Sequence, residues 1–459
     1  MNSPTPLVPE ARESPAGPYG RFGIAFGRRS FLLAAVGLAW LGPAFLVPRF
    51  ALGMLVWDLL LLIAFAIDLY RLPQPQQVSV TRRWGDPVGL SVSTSVELTL
   101  HNGGRVPLVA ELFDDIPKEL RSEIPRVGLT APPGGDGAAA YSITPIARGD
   151  TTLGDVYIHY QSPLRLAERW ARAKLQQTVR VYPNLEEARR QSTYLLRSRQ
   201  IELQQRQVRA RGVGREFESL REYREGDDFR NICWSASGRR GKLVAKLYQA
   251  ERSQTIWVVI DCGRLMQAQI AGLSKLDYAV NTALCVAQLA LYSGDRLGLM
   301  AYDRAPRHRL LPQRGSTHLR HFMEQLVDLR TSPLEADHLR AVSALRNSQK
   351  RRSLVIWLTD LAETAMTPEV IEAALQLTPQ HLVLFTVMDQ PDLRALVAEN
   401  PTAASRMYEA SAAQEILHRR QLLLARMRDR GVLLVEVGTA AMSAAVMNAY
   451  LEIKEHNRL

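Results

Sequence analysis

TIWVVID, Thr255–Asp261, is a short apolar run that ends on a carboxylate. A helical stretch follows, KLDYAVNTALCVAQLALYSG from Lys275 to Gly294, and then a second run, DRLGLMAY, Asp295–Tyr302. A strand without apolar–polar alternation has both faces buried, as in a parallel sheet covered by helices. The pattern recurs in SLVIWLTD (Ser353–Asp360), HLVLFTVMD (His381–Asp389) and GVLLVEV (Gly431–Val437). Helices fill the intervals, among them STHLRHFMEQLVDL from Ser316, and a last helix spans Ala441–Lys454. Strands alternating with helices predict a doubly wound α/β domain over residues 254–459. Such sheets bind ligands beyond the carboxyl ends of their strands. Asp261, Asp360 and Asp389 stand at those ends and mark a candidate rim.

Immediately upstream lies GVGREFESLREYREGDDFRNICWSASGRR, Gly212–Arg240. Glu216, Glu218, Glu222, Glu225, Asp227 and Asp228 alternate with arginines, and Phe217, Tyr223 and Trp234 are interleaved. The segment has no His and one isolated Cys, so it lacks a nucleophile–base pair or metal-ligand spacing. Phe217, Leu220 and Tyr223 fall three apart, which predicts one face of a short helix. Gly226 breaks it, and Asp227 or Asp228 caps a second helix through Phe229, Ile232 and Trp234 that ends at Gly238 or Gly241. Arg221, Arg230 and Arg239 pairing with Glu216, Asp227 and Asp228 would form an internal lattice around buried rings, since arginine binds carboxylates bidentately. The same side chains facing outward would be a docking surface. Residues 185–253, with Leu195, Leu196 and Leu203 at helical spacing, form a bridge that carries this motif.

Residues 77–184 alternate in short runs, for example LSVSTSVELTLHN and TTLGDVYIHY, separated by Gly and Pro turns. This predicts a β-sandwich-like domain, in which nothing looks catalytic. At the front, Ser30–Val47 and Phe50–Leu69 are two apolar runs, each near the roughly 20 residues that cross a bilayer. Pro48 and Arg49 alone separate them, which predicts a transmembrane hairpin over residues 30–70. Arg21, Arg28 and Arg29 precede it, and Arg71, Arg82 and Arg83 follow. The positive-inside rule then puts the N-terminal tail, residues 1–29, and everything after Tyr70 in the cytoplasm. Asp58 is a carboxylate inside the second run and so a functional candidate. Asp68 is expected at the inner interface.

Composition excludes little. The chain has 459 residues and a formal charge of +11, with the basic residues dispersed. Nucleic acid is an improbable partner, for no aromatic–basic platform is visible outside the motif. Cys233, Cys262 and Cys285 have no CxxC spacing, which argues against disulfides and structural zinc and for a reducing compartment. There is no HExxH. GRRGKL, Gly238–Leu243, has the wrong glycine spacing for a phosphate loop and lacks its Ser or Thr.

The order of segments and the motif resemble the bacterial family catalogued as domain of unknown function fifty-eight, whose pattern is close to GxGxEFxxLRxYxxGDDxRxIxW. Here it is carried by Gly212, Gly214, Glu216, Arg221, Tyr223, Gly226, Asp227, Asp228, Arg230 and Trp234. The resemblance implies a bacterial inner-membrane protein, a last domain similar to the von Willebrand factor A fold and a MoxR-type AAA+ ATPase as partner. Many A-type domains carry a metal-ion-dependent adhesion site of pattern DxSxS. Asp261 and Asp360 match its two aspartates, but Gly263 and Leu265 replace the serines, and the threonine place falls near Asp337. Magnesium wants about six oxygens, so a magnesium site here would be degenerate.

The reading that follows is a non-enzymatic, membrane-anchored adaptor that binds lipid through its hairpin and presents the A-type domain to protein partners. Two alternatives stand beside it. One is a metal-dependent hydrolase using Glu216, Asp227 and Asp228, against which the interleaved arginines count. The other is a basic protein that binds nucleic acid or anionic lipid.

Overall fold

Alternating burial shapes the first part of the chain, and unbroken burial shapes the second. The structure is a computed structural model that describes residues 8–20, 23–47, 50–121, 123–184, 186–187, 190, 216–224, 229–249, 253–361, 369–389, 391–398, 404–456 and 458. The chain divides into two units, Met1–Asn184 and Leu185–Leu459.

The first unit begins with β1 (Arg12–Pro18) and β2 (Ile24–Phe26) and continues into helices α1 (Arg28–Gly37), α2 (Leu41–Leu46) and α3 (Phe50–Arg71). The remaining strands are β3 (Val78–Trp84), β4 (Thr94–Asn102), β5 (Leu108–Asp114), β6 (Arg126–Ala131), β7 (Gly135–Ile143), β8 (Gly149–Leu153), β9 (Val156–Gln161), β10 (Ala167–Ala173) and β11 (Gln177–Val181). The main sheet runs β6-β5-β9-β10-β1-β3-β4-β7, with β2 also on β10. β1 joins its halves: Arg12–Pro15 pair with β3 and Ala16–Pro18 with β10, both antiparallel. Every second residue points inward, so Val80 and Leu98 of one half share a core with Leu112 and Ile158 of the other. At the far edges β6 meets β7. A side chain at Gly137 would stand 2.4 Å from the Thr130 carbonyl oxygen, so this close approach needs glycine.

The N-terminal segment is therefore not a separate tail: residues 12–26 supply two strands of this sheet. RESPAGP carries little apolar signal, and the strand is held by main-chain pairing with Ala16 alone buried. A second correction concerns the charges. Arg82, counted above among the flanking arginines, is fully buried. Its Nε donates to Asp114 at 3.0 Å and its Nη1 to the Leu175 carbonyl at 2.8 Å, while Nη2 completes an ion pair with Asp114. Tyr141 donates to the same carboxylate at 2.6 Å.

Of the two apolar runs, the second is one helix, and Ala51–Arg71 is long and apolar enough to cross a membrane. The first is interrupted. α1 stops at Gly37, a 3-10 turn covers Leu38–Trp40, and α2 follows. Glycine is a weak helix former, but at 37 it also admits a neighbour, because a Cβ there would lie 2.7 Å from the Trp57 ring. Trp57 Nε1 donates to the Leu33 carbonyl at 2.9 Å, so the broken run lies along α3. Asp68 is buried against the β-rich unit. It is 1% exposed and accepts from Ser162 Oγ at 2.6 Å and from the amides of Leu166 and Ala167 at 3.2 and 2.9 Å. The start of α1 is fixed to the same turn, where the Gly27 amide and the Ser30 hydroxyl both donate to the Leu166 carbonyl at 2.7 Å.

The second unit opens with a hairpin, β12 (Glu216–Glu222) and β13 (Val244–Gln249), bracketing α4 (Trp234–Arg240). Then come β14 (Thr255–Asp261), the short β15 (Gln269–Ile270) and β16 (Leu273–Ser274), α5 (Lys275–Tyr292), β17 (Arg296–Tyr302), β18 (Pro306–Gln313), α6 (Ser316–Asp328) and α7 (His338–Ser348). The chain ends with β19 (Leu354–Thr359), α8 (Glu369–Leu377), β20 (Leu382–Met388), α9 (Pro391–Ala398), α10 (Ala404–Asp429), β21 (Leu433–Val437) and α11 (Met442–Glu455). The sheet order is β18-β17-β14-β19-β20-β21, parallel except for the antiparallel edge β18. Trp257, Trp357 and Phe385 bury against α7, α8 and α10. α5 packs on β14 and β17 and against α6 and α11.

Candidate functional site

The sheet order creates one crevice. β14 and β19 are neighbours, yet the chain leaves β14 toward β17 and leaves β19 toward β20. Ligand sites of open α/β sheets form where the winding direction switches in this way. Asp261 and Asp360 end the two strands at that point, as their places in TIWVVID and SLVIWLTD predict.

Asp261 is buried, its Oδ1 accepting the Gly263 amide at 2.7 Å and its Oδ2 the Thr359 hydroxyl at 2.6 Å. Burial pushes its carboxyl up to about 6, against those two hydrogen bonds. Asp360 is wholly buried; its Oδ1 accepts the Leu361 amide at 2.7 Å and its Oδ2 forms an ion pair with the Lys275 ammonium. Asp303, just past β17, is buried and ion-paired with Arg307. Burial would raise it, but hydrogen bonds from Ser332 and the Ala305 amide, together with Arg307, hold it below the usual carboxylate value.

Beneath the rim runs a polar chain. Trp357 Nε1 donates to Tyr302 Oη at 2.8 Å, and Tyr302 Oη lies 2.9 Å from His338 Nδ1. The tyrosine oxygen thus accepts from the indole and shares a hydrogen bond with the imidazole, the direction of which follows the histidine tautomer. Burial pushes His338 down to about 4.

The expected magnesium arrangement does not fit these residues. All four carboxylate oxygens of Asp261 and Asp360 already have protein donors, one of them an ammonium. A Cβ at Gly263 would meet Ala336 at 3.0 Å, which leaves little room for a serine there. Asp337 instead caps α7 through the Arg340 amide at 2.8 Å. Among the described residues no group of three His, Cys, Asp or Glu side chains is placed to hold a metal. Asp389 lies apart, at the end of β20, 3.0 Å from Arg394. Sequence reasoning missed Lys275, Thr359 and Asp303. The signal for Lys275 was local: Ser274 and Asp277 form a capping box that puts Lys275 at the first helical position, beside the rim.

The Gly212–Arg240 motif is placed differently from its helical reading. Glu216–Glu222 is a strand, because Val244–Gln249 offers an apolar partner close in sequence and the pairing overrides the three-residue spacing. The second helix exists as a 3-10 turn, Phe229–Asn231, followed by α4, and Gly241 ends it with φ 63°. Ser237 clamps α4 to the hairpin, donating to the Cys233 carbonyl and accepting from the Val244 amide, both at 2.9 Å. The rings are not a buried core: Trp234 is 70% and Phe229 75% exposed. Arg221 lies in β12, Tyr223 follows it with its ring 5.9 Å from that of Phe229, and Arg230 is exposed. Glu216 lies at the start of β12, while Gly212, Gly214, Gly226, Asp227 and Asp228 fall outside the described residues, as does the carboxylate half of the expected lattice they would supply.

The "Uncharacterized protein YeaD" of Bacillus subtilis (strain 168) is 24% identical over 195 residues, 41% of this chain and 44% of that protein, so the match spans less than half of the relative's length. The crystal structure of conserved hypothetical protein BatB from Bacteroides thetaiotaomicron aligns with 43% of this chain and 100% of its own, at 13% identity and a TM-score of 0.29. An aerotolerance-related membrane protein from Bacteroides fragilis NCTC 9343 aligns with 44% of this chain and 100% of its own, at 14% identity and the same TM-score. Residues 219–398, from β12 through α9, match the family model described as "Protein of unknown function DUF58".

Proposed function

We propose that this chain is a non-enzymatic membrane adaptor, anchored by the hairpin of residues 30–70 and presenting a von Willebrand factor A-like domain to protein partners on the cytoplasmic face. One observation carries the anchoring. β1 precedes the apolar helices, β3 follows them, and the two are neighbours in a single sheet. The pairing of β1 with β3 keeps both ends of the helical segment on one sheet, which supports a paired crossing over a single one. α3 has the length to cross and exposes Leu52, Leu55, Leu59, Leu60 and Leu62. The return leg is the run α1–α2, packed on α3. It is 19 residues with its 3-10 turn, close to the thickness of a hydrocarbon core.

The adaptor reading is supported by the character of the rim, where the buried carboxylates of Asp261 and Asp360 are engaged by protein donors. The exposed Trp234 and Phe229, close in sequence to the exposed Arg239, Arg240 and Lys242, are suited to a protein partner, since tryptophan and arginine anchor such contacts. The sheet order, with its antiparallel third strand, supports the A-like assignment. The ATPase partner rests on the resemblance of the motif.

Labelling in intact cells tests the anchor. Arg49→Cys should react with a membrane-impermeant thiol reagent from outside, and Tyr19→Cys only after permeabilisation. Labelling of both from the same side refutes the hairpin. Affinity capture of the full chain from solubilised membranes, with nucleotide trapped, should recover an AAA+ ATPase from wild type and less from Trp234→Ala. Equal recovery from both removes the motif from the contact, and no recovery removes the partner.

A further inference from the structure

The crevice between β14 and β19 has the acidic residues of a cation site, and a cation built into the chain stands in it. Lys275 is 6% exposed and its ammonium pairs with Asp360, which is 0% exposed. Position 275 is the first of α5, where positive charge opposes the helix dipole. The ammonium is kept there by the carboxylate it meets, and the capping box of Ser274 and Asp277 fixes the backbone from which it reaches. The remaining oxygens are also engaged: Asp360 Oδ1 by the Leu361 amide, Asp261 by Gly263 and Thr359, and Asp303 by Arg307. Oxygen ligands that would complete an octahedron are replaced, with Gly at 263 and Leu at 265.

We infer that Lys275 is the resident cation of this rim: its ammonium takes the place at Asp360 that a divalent ion would take, so the rim holds its shape without metal and binds neither magnesium nor manganese. Any contact made at this end of the sheet is then independent of divalent ions. The inference concerns the second unit alone and stands whether or not the rim docks a partner.

The test uses the full chain in detergent micelles, with manganese as probe, followed by electron paramagnetic resonance and by thermal unfolding. The wild type should bind no stoichiometric manganese and unfold at the same temperature in chelator and in magnesium. Lys275→Met should lower the unfolding temperature by several degrees, because it leaves a buried carboxylate without its partner. Lys275→Met combined with Asp360→Asn should recover at least half of that loss, since removing both members of a buried pair is tolerated far better than removing one. Lys275→Arg, which keeps the charge, should fall between the wild type and Lys275→Met. If Lys275→Met yields no folded protein while the double variant does, the inference is supported. One equivalent of manganese bound by the wild type and lost in Asp360→Asn overturns it. So does a Lys275→Met chain as stable as the wild type.

Discussion

Asp261 and His338 lie in one unit, and their titrations oppose each other, so removing either one alone should expose a pH dependence that the wild type conceals. Asp261 ordinarily titrates at 3.8 and is pushed up to about 6 by burial. A raised folded value means that its contribution to stability is complete below the unfolded value and is lost as pH rises through about 6. His338 ordinarily titrates at 6.5 and is pushed down to about 4, again by burial. Its contribution is complete above the unfolded value and is lost as pH falls toward 4. Each shift is about two units or slightly more, and each unit is worth ~1.4 kcal/mol, so the two limbs are each of order 3 kcal/mol and run in opposite directions. Between about pH 4 and 6.5 they nearly cancel. Asp261→Asn keeps the shape of the side chain and removes the falling limb. Relative to wild type it should gain about 3 kcal/mol between pH 4 and 7. His338→Gln should lose a similar amount over the same window. Urea unfolding of the full chain in detergent, followed by near-ultraviolet circular dichroism, measures both. Differences from wild type that do not change with pH, or that change with the same sign in both variants, refute the assignment.

Three further outcomes follow from packing. Asp68→Ala strands the Ser162 hydroxyl and the amides of Leu166 and Ala167; at ~1–3 kcal/mol for each buried unsatisfied group, the first unit should lose on the order of 3 kcal/mol or more, read as a lower melting temperature of its β signal. Arg82→Met leaves Asp114 buried without its partner and should cost about 3–5 kcal/mol, with Asp114→Asn partly restoring the double variant in the same assay. Trp234→Ala, at 70% exposure, should change stability by no more than about 0.5 kcal/mol in urea titration while reducing partner capture.

The sheet of the second unit was legible because each of its central strands has six consecutive buried residues, at least five of them apolar or glycine, and so short and apolar a run is stable in water only where both of its faces are covered. Asp261 and Asp360 were legible for the same reason, as the first charged residues after such runs. The hairpin at Glu216–Glu222 was not. EFESLRE carries apolar residues three apart by coincidence, and the deciding interaction is with Val244–Gln249, beyond α4. β1 was hidden in the same way: RESPAGP contains two prolines and one buried side chain, and its strand state is imposed by β3 and β10. Local pattern predicts elements whose state is set by their own side chains, and it fails for elements recruited by a neighbour's edge.

The same distinction separates the two carboxylates of α3. Asp58 and Asp68 look alike in the sequence, two acids in one apolar run. Asp58 lines a groove of about 340 Å³ with Ser30, Phe31 and Phe65, between helices whose other faces are apolar and exposed. Asp68 is closed in by one hydroxyl and two amides from a turn some hundred residues away. Each of those three donors points at a carboxylate on the last turns of α3. Leu72, directly after the helix, is buried in the β core, with Phe65 and Leu69 packed against it. α3 therefore enters the β-rich unit as a fixed strut, not as a tether. With Gly27 and Ser30 pinned to the same Leu166 carbonyl, both legs of the apolar pair are fastened to one turn. That turn leads into β10, which pairs with β1, and β1 pairs in turn with β3, so the fastening reaches both halves of the sheet. Loosening that turn by Ser162→Ala, which removes one donor and leaves the amides in place, should weaken the coupling without unfolding the unit. The expected reading is faster amide exchange at Leu166 and Ala167 with an unchanged sheet. Unchanged exchange there would mean that Asp68 is held by the amides alone.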